Sequence, residues 1–404
     1  MSRKLFLFLS ILIAILMLAG CAQQPAATQA PAQESGGGQQ VPASGGETIK
    51  IGIFSPTTGF AAADGTSALQ AAQLAVKMIN DNGGVMGKKL ELIHYDDAAK
   101  PDQAASIARK LIEQDKVVAG ISGSYSGATR AAAPVFQEAG VPMISAYAIH
   151  PDITKTGDKI FRVGTLASVE GRVGAELVGN VIKGKKVAIL TIDNDFGAAL
   201  TEGFKAHAKD LGLEIVLEEK YPLGETEFRP IIGKIKEVNP DVVYATAYYN
   251  EAANLVSQAK DEGLTATIVG QEGYDSPKFI ELAGPAAEGV IITTDLNRDS
   301  DRPMTKTFLE EYKKTYKEDA DMVGASAFDA VQLIAYAIKT AGSTDPDVMV
   351  KALMNLKDFE DVATGPFYRY TPEREVVRPI GAQIVKDGAF HFYHEFTDPD
   401  LITP

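Results

Sequence analysis

Residues Thr48 to Asp97 read TIKIGIFSPTTGFAAADGTSALQAAQLAVKMINDNGGVMGKKLELIHYDD, and this stretch decides the fold. TIKIGIFSP is a β-branched, alternating run that ends in Ser55-Pro56, the pattern of a strand with its stop. SALQAAQLAVKMINDNGG then spaces its apolar residues as one helical face does, and Gly83-Gly84 closes it. KKLELIHYDD returns to alternation. Strand, helix and strand at this spacing form a crossover unit, which demands parallel strands with a helix on the face of the sheet.

The theme continues. PDQAASIARKLIEQ opens with Pro101 and Asp102 where a first helical turn accepts them, and KVVAGIS, SGATRAAAPVFQEAG and VPMISA follow. It restarts at KKVAILTIDND and runs through FGAALTEGFKAHAKDLG, LEIVLEEKYP, FRPIIGKIKEVN, PDVVYATAY, NEAANLVSQAKDEG, ATIVGQEG and AEGVIITT. Three helical patterns come next, in TKTFLEEYKKTY, ASAFDAVQLIAYAIKTA and DPDVMVKALMNL. The C-terminal TGPFYRYTP, REVVRPIGAQIVKDG and AFHFYHEF read as short strands. The expected fold class is α/β, with two doubly wound parallel-sheet lobes joined by a hinge. Ligands of wound sheets sit at the carboxyl ends of strands where strand order reverses, so two facing lobes would place a site in the cleft between them.

Upstream of the globular pattern, Arg3 and Lys4 precede an almost unbroken apolar run from Leu5 to Leu18. The run is short for a membrane span and has no basic stop after it, as in a signal peptide. Leu18-Ala19-Gly20-Cys21 resembles a lipobox, which implies cleavage before Cys21 and lipid attachment to its thiol. Cys21 is the single cysteine of the 404 residues, so no intrachain disulfide is possible. Residues 22–47 are Pro, Gln, Ala, Gly and Ser with almost no large apolar side chain, the composition of a flexible tether.

The chain carries a formal charge of −14; the segment before Cys21 holds two bases and no acid, so the remainder carries −16. That balance argues against nucleic acid and against charge-driven binding to anionic lipid. Catalytic motifs fail on spacing. In GISGSYSG, Gly120, Gly123 and Gly127 fit neither a dinucleotide fingerprint nor a phosphate loop, and no nucleophile elbow is present. His391 and His394 form an H-x-x-H pair on a terminal strand-like segment and read as solvated side chains. Neither enzyme activity nor a metal or other cofactor is expected.

Binding has better candidates. Ser126 lies at a predicted helix start, where free N–H groups and the helix dipole suit a carboxylate, although serine there also serves as an ordinary N-cap. Glu272 sits in a strand-end loop with no Lys or Arg within five residues, free to meet an ammonium or simply to be solvated.

IKIGIFSPTTGFAAADG, AVKMINDNGGVMGKKLELIHYDDAAKPDQAASIARKLI, EAGVPMIS, YYNEAANLVSQAKDEGL, GQEG and FDAVQLIAYAI together resemble the leucine/isoleucine/valine-binding branch of the type I periplasmic solute-binding proteins, from about Ile49 to about Phe396. The resemblance implies lobes at 48–164 plus 295–372 and at 165–294 plus 373–396, after a signal at 1–20 and a lipidated tether at 21–47. It implies that Ser126 and Tyr147 meet an amino-acid carboxylate, with Tyr147 also at the ammonium. Tyr248 and Glu272 would serve from the second lobe, and Phe196 would stand where a tyrosine is common. Ile149 replaces a ligand-touching threonine, leaving its backbone N–H. Asp64 stands where an aromatic often lines the mouth, and Ala99 and Tyr125 where well-known members carry a cysteine pair. Tyr125 joins the aromatic lining. The implied role is a monomeric, extracytoplasmic, lipid-anchored protein that delivers a neutral, branched-chain or other aliphatic amino acid to an ABC permease. The alternatives are an aromatic or aliphatic carboxylate or amide as ligand, or a sensory role beside a membrane receptor.

Overall fold

The structure is a computed structural model that describes residues 48–404. The signal, the tether and Cys21 lie outside the described residues.

The first sheet forms from β1 (Ile49–Ser55), β2 (Leu90–Asp96), β3 (Ala119–Ser122), β4 (Met143–Ser145) and β5 (Ile160–Arg162), in the order β2-β1-β3-β4-β5 and parallel throughout. The intervening helices are α1 (Ala62–Asp81), α2 (Pro101–Glu113), α3 (Ser126–Glu138) and the single turn α4 (Asp152–Lys155). Helix α1 ends where the sequence places its stop: Gly84 has φ +73°, and its N–H bonds to Ile79 O at 2.9 Å.

The chain then passes into α5 (Ala167–Glu176), which continues as a π-helical turn over Leu177–Ile182. The second set is β6 (Lys186–Ile192), α6 (Asp195–Asp210), β7 (Glu214–Tyr221), α7 (Arg229–Val238), β8 (Val242–Thr246), α8 (Tyr249–Asp261), β9 (Thr267–Gly270), α9 (Pro277–Ala283) and β10 (Ile291–Thr294). A 3-10 turn, Glu272–Tyr274, separates β9 from α9. Helices α10 (Pro303–Tyr316), α11 (Met322–Ala341) and α12 (Pro346–Met354) follow. Strands β11 (Lys357–Phe359), β12 (Phe367–Tyr370) and β13 (Val376–Val377) form a small separate sheet, so the boundary expected at 372 falls inside it. β14 (Ile380–Lys386) and β15 (Ala389–Phe396) join the second sheet antiparallel, giving β15-β14-β10-β9-β8-β6-β7, and α13 (Pro399–Ile402) ends the chain.

Burial explains the layering. β1 and β8 are almost wholly inside because helices cover both faces of a parallel sheet. Helix α11 belongs to the first lobe although it follows the second sheet in sequence. It packs along α1, and Ala68, Ala71, Ala72 and Ala75 of α1 are fully buried. Between the lobes the chain crosses three times. Asp295 ties these crossings together: it accepts from Thr165 N–H at 2.9 Å and Thr165 Oγ1 at 2.6 Å, while Arg378 Nη2 donates to its carbonyl at 2.9 Å. Among the described residues no helix is long and apolar enough to cross a membrane.

Candidate functional site

Both sheets place their switch points toward one cavity. In the first sheet β2 and β3 flank β1, so the loops after β1 and β3 diverge; in the second, β7 and β8 flank β6, and the loops after β6 and β8 do the same. These loops feed the first turns of α1, α3, α6 and α8, and four helix starts bring Asp64, Ser126, Phe196 and Tyr248 together. The cavity encloses about 280 Å³ of non-atom space, including its opening to solvent, and is also lined by Tyr125, Tyr147, Ala148, Glu272, Gly273, Met322 and Val323.

Close approach of backbone sets the carboxylates. A Cβ on Gly65 would lie 2.1 Å from Pro56 O, so the first turn of α1 is pressed onto the loop after β1 with Asp64 beside it. A Cβ on Gly273 would lie 2.2 Å from Ala247 O, which seats the Glu272 turn against the loop after β8. Gln271 pins that turn by accepting from Gly273 N–H at 2.9 Å.

Ser126 is the first residue of α3, and the N-cap position belongs to Tyr125, which makes no side-chain cap bond. The ordinary N-cap reading of Ser126 therefore falls away. Its hydroxyl is buried and has no protein partner. Tyr125 donates to Asp64 Oδ2 at 2.7 Å and stacks on Tyr248 with ring centroids 4.1 Å apart and planes within 2°. Phe196 stacks on the other face of Tyr248 at 4.9 Å. Tyr147 meets Tyr125 edge-on and anchors its hydroxyl on Gly123 O at 2.6 Å. The aromatic wall is thus built from both lobes.

Ile149 is the exception among the expected residues. It is fully buried but joins the core instead of lining the cavity, because its side chain packs beside Gly164 where the chain leaves β5.

The cavity is acidic. Asp64 and Glu272 both line it, each 4% exposed, and no Lys, Arg or His does. Burial, and then the charge of Asp321, push Asp64 up to about 8, despite the opposing Tyr125 hydrogen bond. Burial also holds Glu272 well above the usual carboxylate range, and the neighbouring Glu170 adds to it. Sequence reading missed Glu170. Its Oε1 accepts from Glu272 N–H at 3.0 Å and from Thr293 Oγ1 at 2.8 Å, while Oε2 has no partner. The partnership spans 102 positions, and nothing local marks it. Around the rim, Arg130 of α3 pairs with Asp195 of α6, and Tyr249 and Asn250 both donate to Phe60 O at 3.1 Å. Among the described residues no group of three or more His, Cys, Asp or Glu is arranged to hold a metal.

The sequence profile of the periplasmic binding proteins matches residues 48–389. The chain belongs to the periplasmic binding protein family. Among its curated relatives, the leucine-, isoleucine-, valine-, threonine- and alanine-binding protein of Pseudomonas aeruginosa is 32% identical over 76% of this chain and 82% of its own length. Two solved members superpose on it. The branched-chain amino acid substrate-binding protein of Streptococcus pneumoniae, in complex with isoleucine, is 32% identical with a TM-score of 0.79, covering 85% of this chain and 98% of that one. A solute-binding protein of Rhodopseudomonas palustris, in complex with 3,4-dihydroxybenzoic acid, is 29% identical with a TM-score of 0.79, covering 87% of this chain and 99% of that one. The periplasmic binding protein fold, two wound lobes with three crossings, is therefore the frame on which this acidic, aromatic cavity stands.

Proposed function

We propose that this periplasmic binding protein captures an α-amino acid in the cleft and presents it, outside the cytoplasmic membrane, to an ABC permease. The observation that carries the reading is the pairing of opposite features in one cavity. Ser126, with the free N–H groups opening α3, suits a carboxylate. Glu272, buried in a cavity whose described lining holds no base, suits an ammonium. Tyr125, Tyr147, Phe196 and Tyr248 supply flat apolar walls. The names of the curated relatives support leucine, isoleucine, valine, threonine and alanine as the first ligands to screen. The lobes divide near 164, 294 and the end of β13, and closure about the crossings at Thr165, Asp295 and Arg378 traps the ligand. Binding, not catalysis, is the role, and the lipobox-like segment at Cys21 supplies the anchor.

The aromatic walls favour a second reading, a small aromatic acid, as in the Rhodopseudomonas palustris complex. Two lining carboxylates oppose it, because a ligand with only negative charge finds no base in the cavity. Mass spectrometry of ligand released from purified, denatured protein, followed by calorimetry with that compound, separates the two. A released acid without an amino group overturns the amino-acid reading.

A further inference from the structure

Asp64 is not needed to hold the two charged ends of an amino acid, yet it lines the same cavity. It is 4% exposed; Oδ2 takes the Tyr125 hydroxyl, and the buried Oδ1 has no partner. Behind it Asp321 caps α11, accepting from Ser67 Oγ at 2.5 Å and Gly324 N–H at 2.7 Å, so this end of the cavity is doubly acidic. The bases nearby are committed elsewhere: the partly buried Arg298 to Asp275, and the fully buried Arg162 to Glu375.

An aliphatic side chain seated here would shut an acceptor away from water without a donor, a poor use of a buried carboxylate. A cationic side chain resolves both problems. Its alkyl stem would lie along Met322 and Val323, and its head would donate to Asp64. Charge then balances: an ammonium on Glu272, a second cation on Asp64, and the carboxylate at the start of α3.

We infer that Asp64 is a specificity-determining residue that receives a cation on the ligand's side chain, and that the ligand is a basic amino acid. This inference rests on the α-amino-acid reading above. Because burial and Asp321 raise Asp64 to about 8, pairing with a cation ionises it, and binding releases a proton.

The test is titration calorimetry on the folded protein with L-lysine, L-arginine, L-leucine, L-glutamine and 4-hydroxybenzoate, in two buffers of different ionisation heat. Lysine or arginine should bind at least about tenfold more tightly than leucine, the gain of one charge-assisted hydrogen bond, and release more protons than leucine does. Asp64→Asn should erase that preference and the additional proton that the basic amino acids release over leucine. Tyr125→Phe, which keeps the charge, should retain the preference and guards against a merely structural effect of the first variant. Leucine binding as tightly as both basic amino acids, or an unchanged lysine-to-leucine ratio in Asp64→Asn, overturns this inference alone, provided that Glu272→Gln still weakens every amino acid. Binding of 4-hydroxybenzoate with no amino acid bound overturns the parent reading and this one with it.

Discussion

Replacing Glu272 by glutamine keeps the side chain's shape and removes its charge. Glu272 is 4% exposed and stands beside Glu170. A hydrogen bond from a ligand ammonium to a carboxylate contributes roughly 1.5–3 kcal/mol, about tenfold to a hundredfold in affinity. Below its raised pKa, part of that gain is spent on ionising Glu272, which burial and Glu170 hold above the usual carboxylate range. The sign follows: the pairing is fully available above the raised pKa and is lost as pH falls through it. The parent's affinity for an amino acid should therefore rise with pH, read by calorimetry at about pH 6 and about pH 8.5. For an amino acid with an uncharged side chain the glutamine variant's should rise less, so the loss grows with pH within that tenfold-to-hundredfold range. Stability should move the other way, because removing one of two adjacent buried acids relieves their mutual repulsion. Calorimetry at both pH values and a thermal melt check both halves. Equal affinity of parent and variant at both pH values would refute the pairing of Glu272 with an ammonium.

Arg130→Ala removes the rim pair with Asp195; both partners are more than a third exposed, so affinity should fall only about two- to fivefold, and less in high salt. A larger, salt-independent loss would show that Arg130 does more than bridge the lobes. Glu375→Ala strands Arg162, which is fully buried on β5, and should cost ~3 kcal/mol in urea unfolding. An unchanged midpoint would rule out that ion pair as a structural tie. Cys21→Ser should yield a folded protein that no longer pellets with membranes, since the acidic body gives no electrostatic hold; pelleting that survives a salt wash would defeat the anchor proposal.

The crossover pattern was legible because β1, α1 and β2 each carry their own period and stops. Strand β5 and helix α5 were not. Three residues, Ile160–Arg162, show no periodicity, and α5 carries Gly171 and Gly174, poor helix formers. Their reason is tertiary. A Cβ on Gly171 would lie 2.3 Å from Leu200 O, and one on Gly203 would lie 2.6 Å from Ser168 O, so α5 and α6 touch backbone to backbone. The site divides the same way. Ser126 and Glu272 announce themselves locally, by a helix start and by the lack of nearby bases. Glu170, Met322 and Val323 reach the site only through the folded chain, and Ile149, adjacent in sequence to lining residues, turns away into the core.

The placement of α11 on α1 bears on how the chain is made. All five strands of the first sheet have been synthesised by residue 162, but the helix that covers α1 ends at Ala341. Until the ribosome has passed that point, the buried alanine face of α1 has nothing to close against, and the early sheet cannot settle into its native packing. Contacts between such distant parts of a chain also form slowly. Docking of α11 onto α1 is thus the step that completes the first lobe, and it must wait until nearly all of the described chain is present.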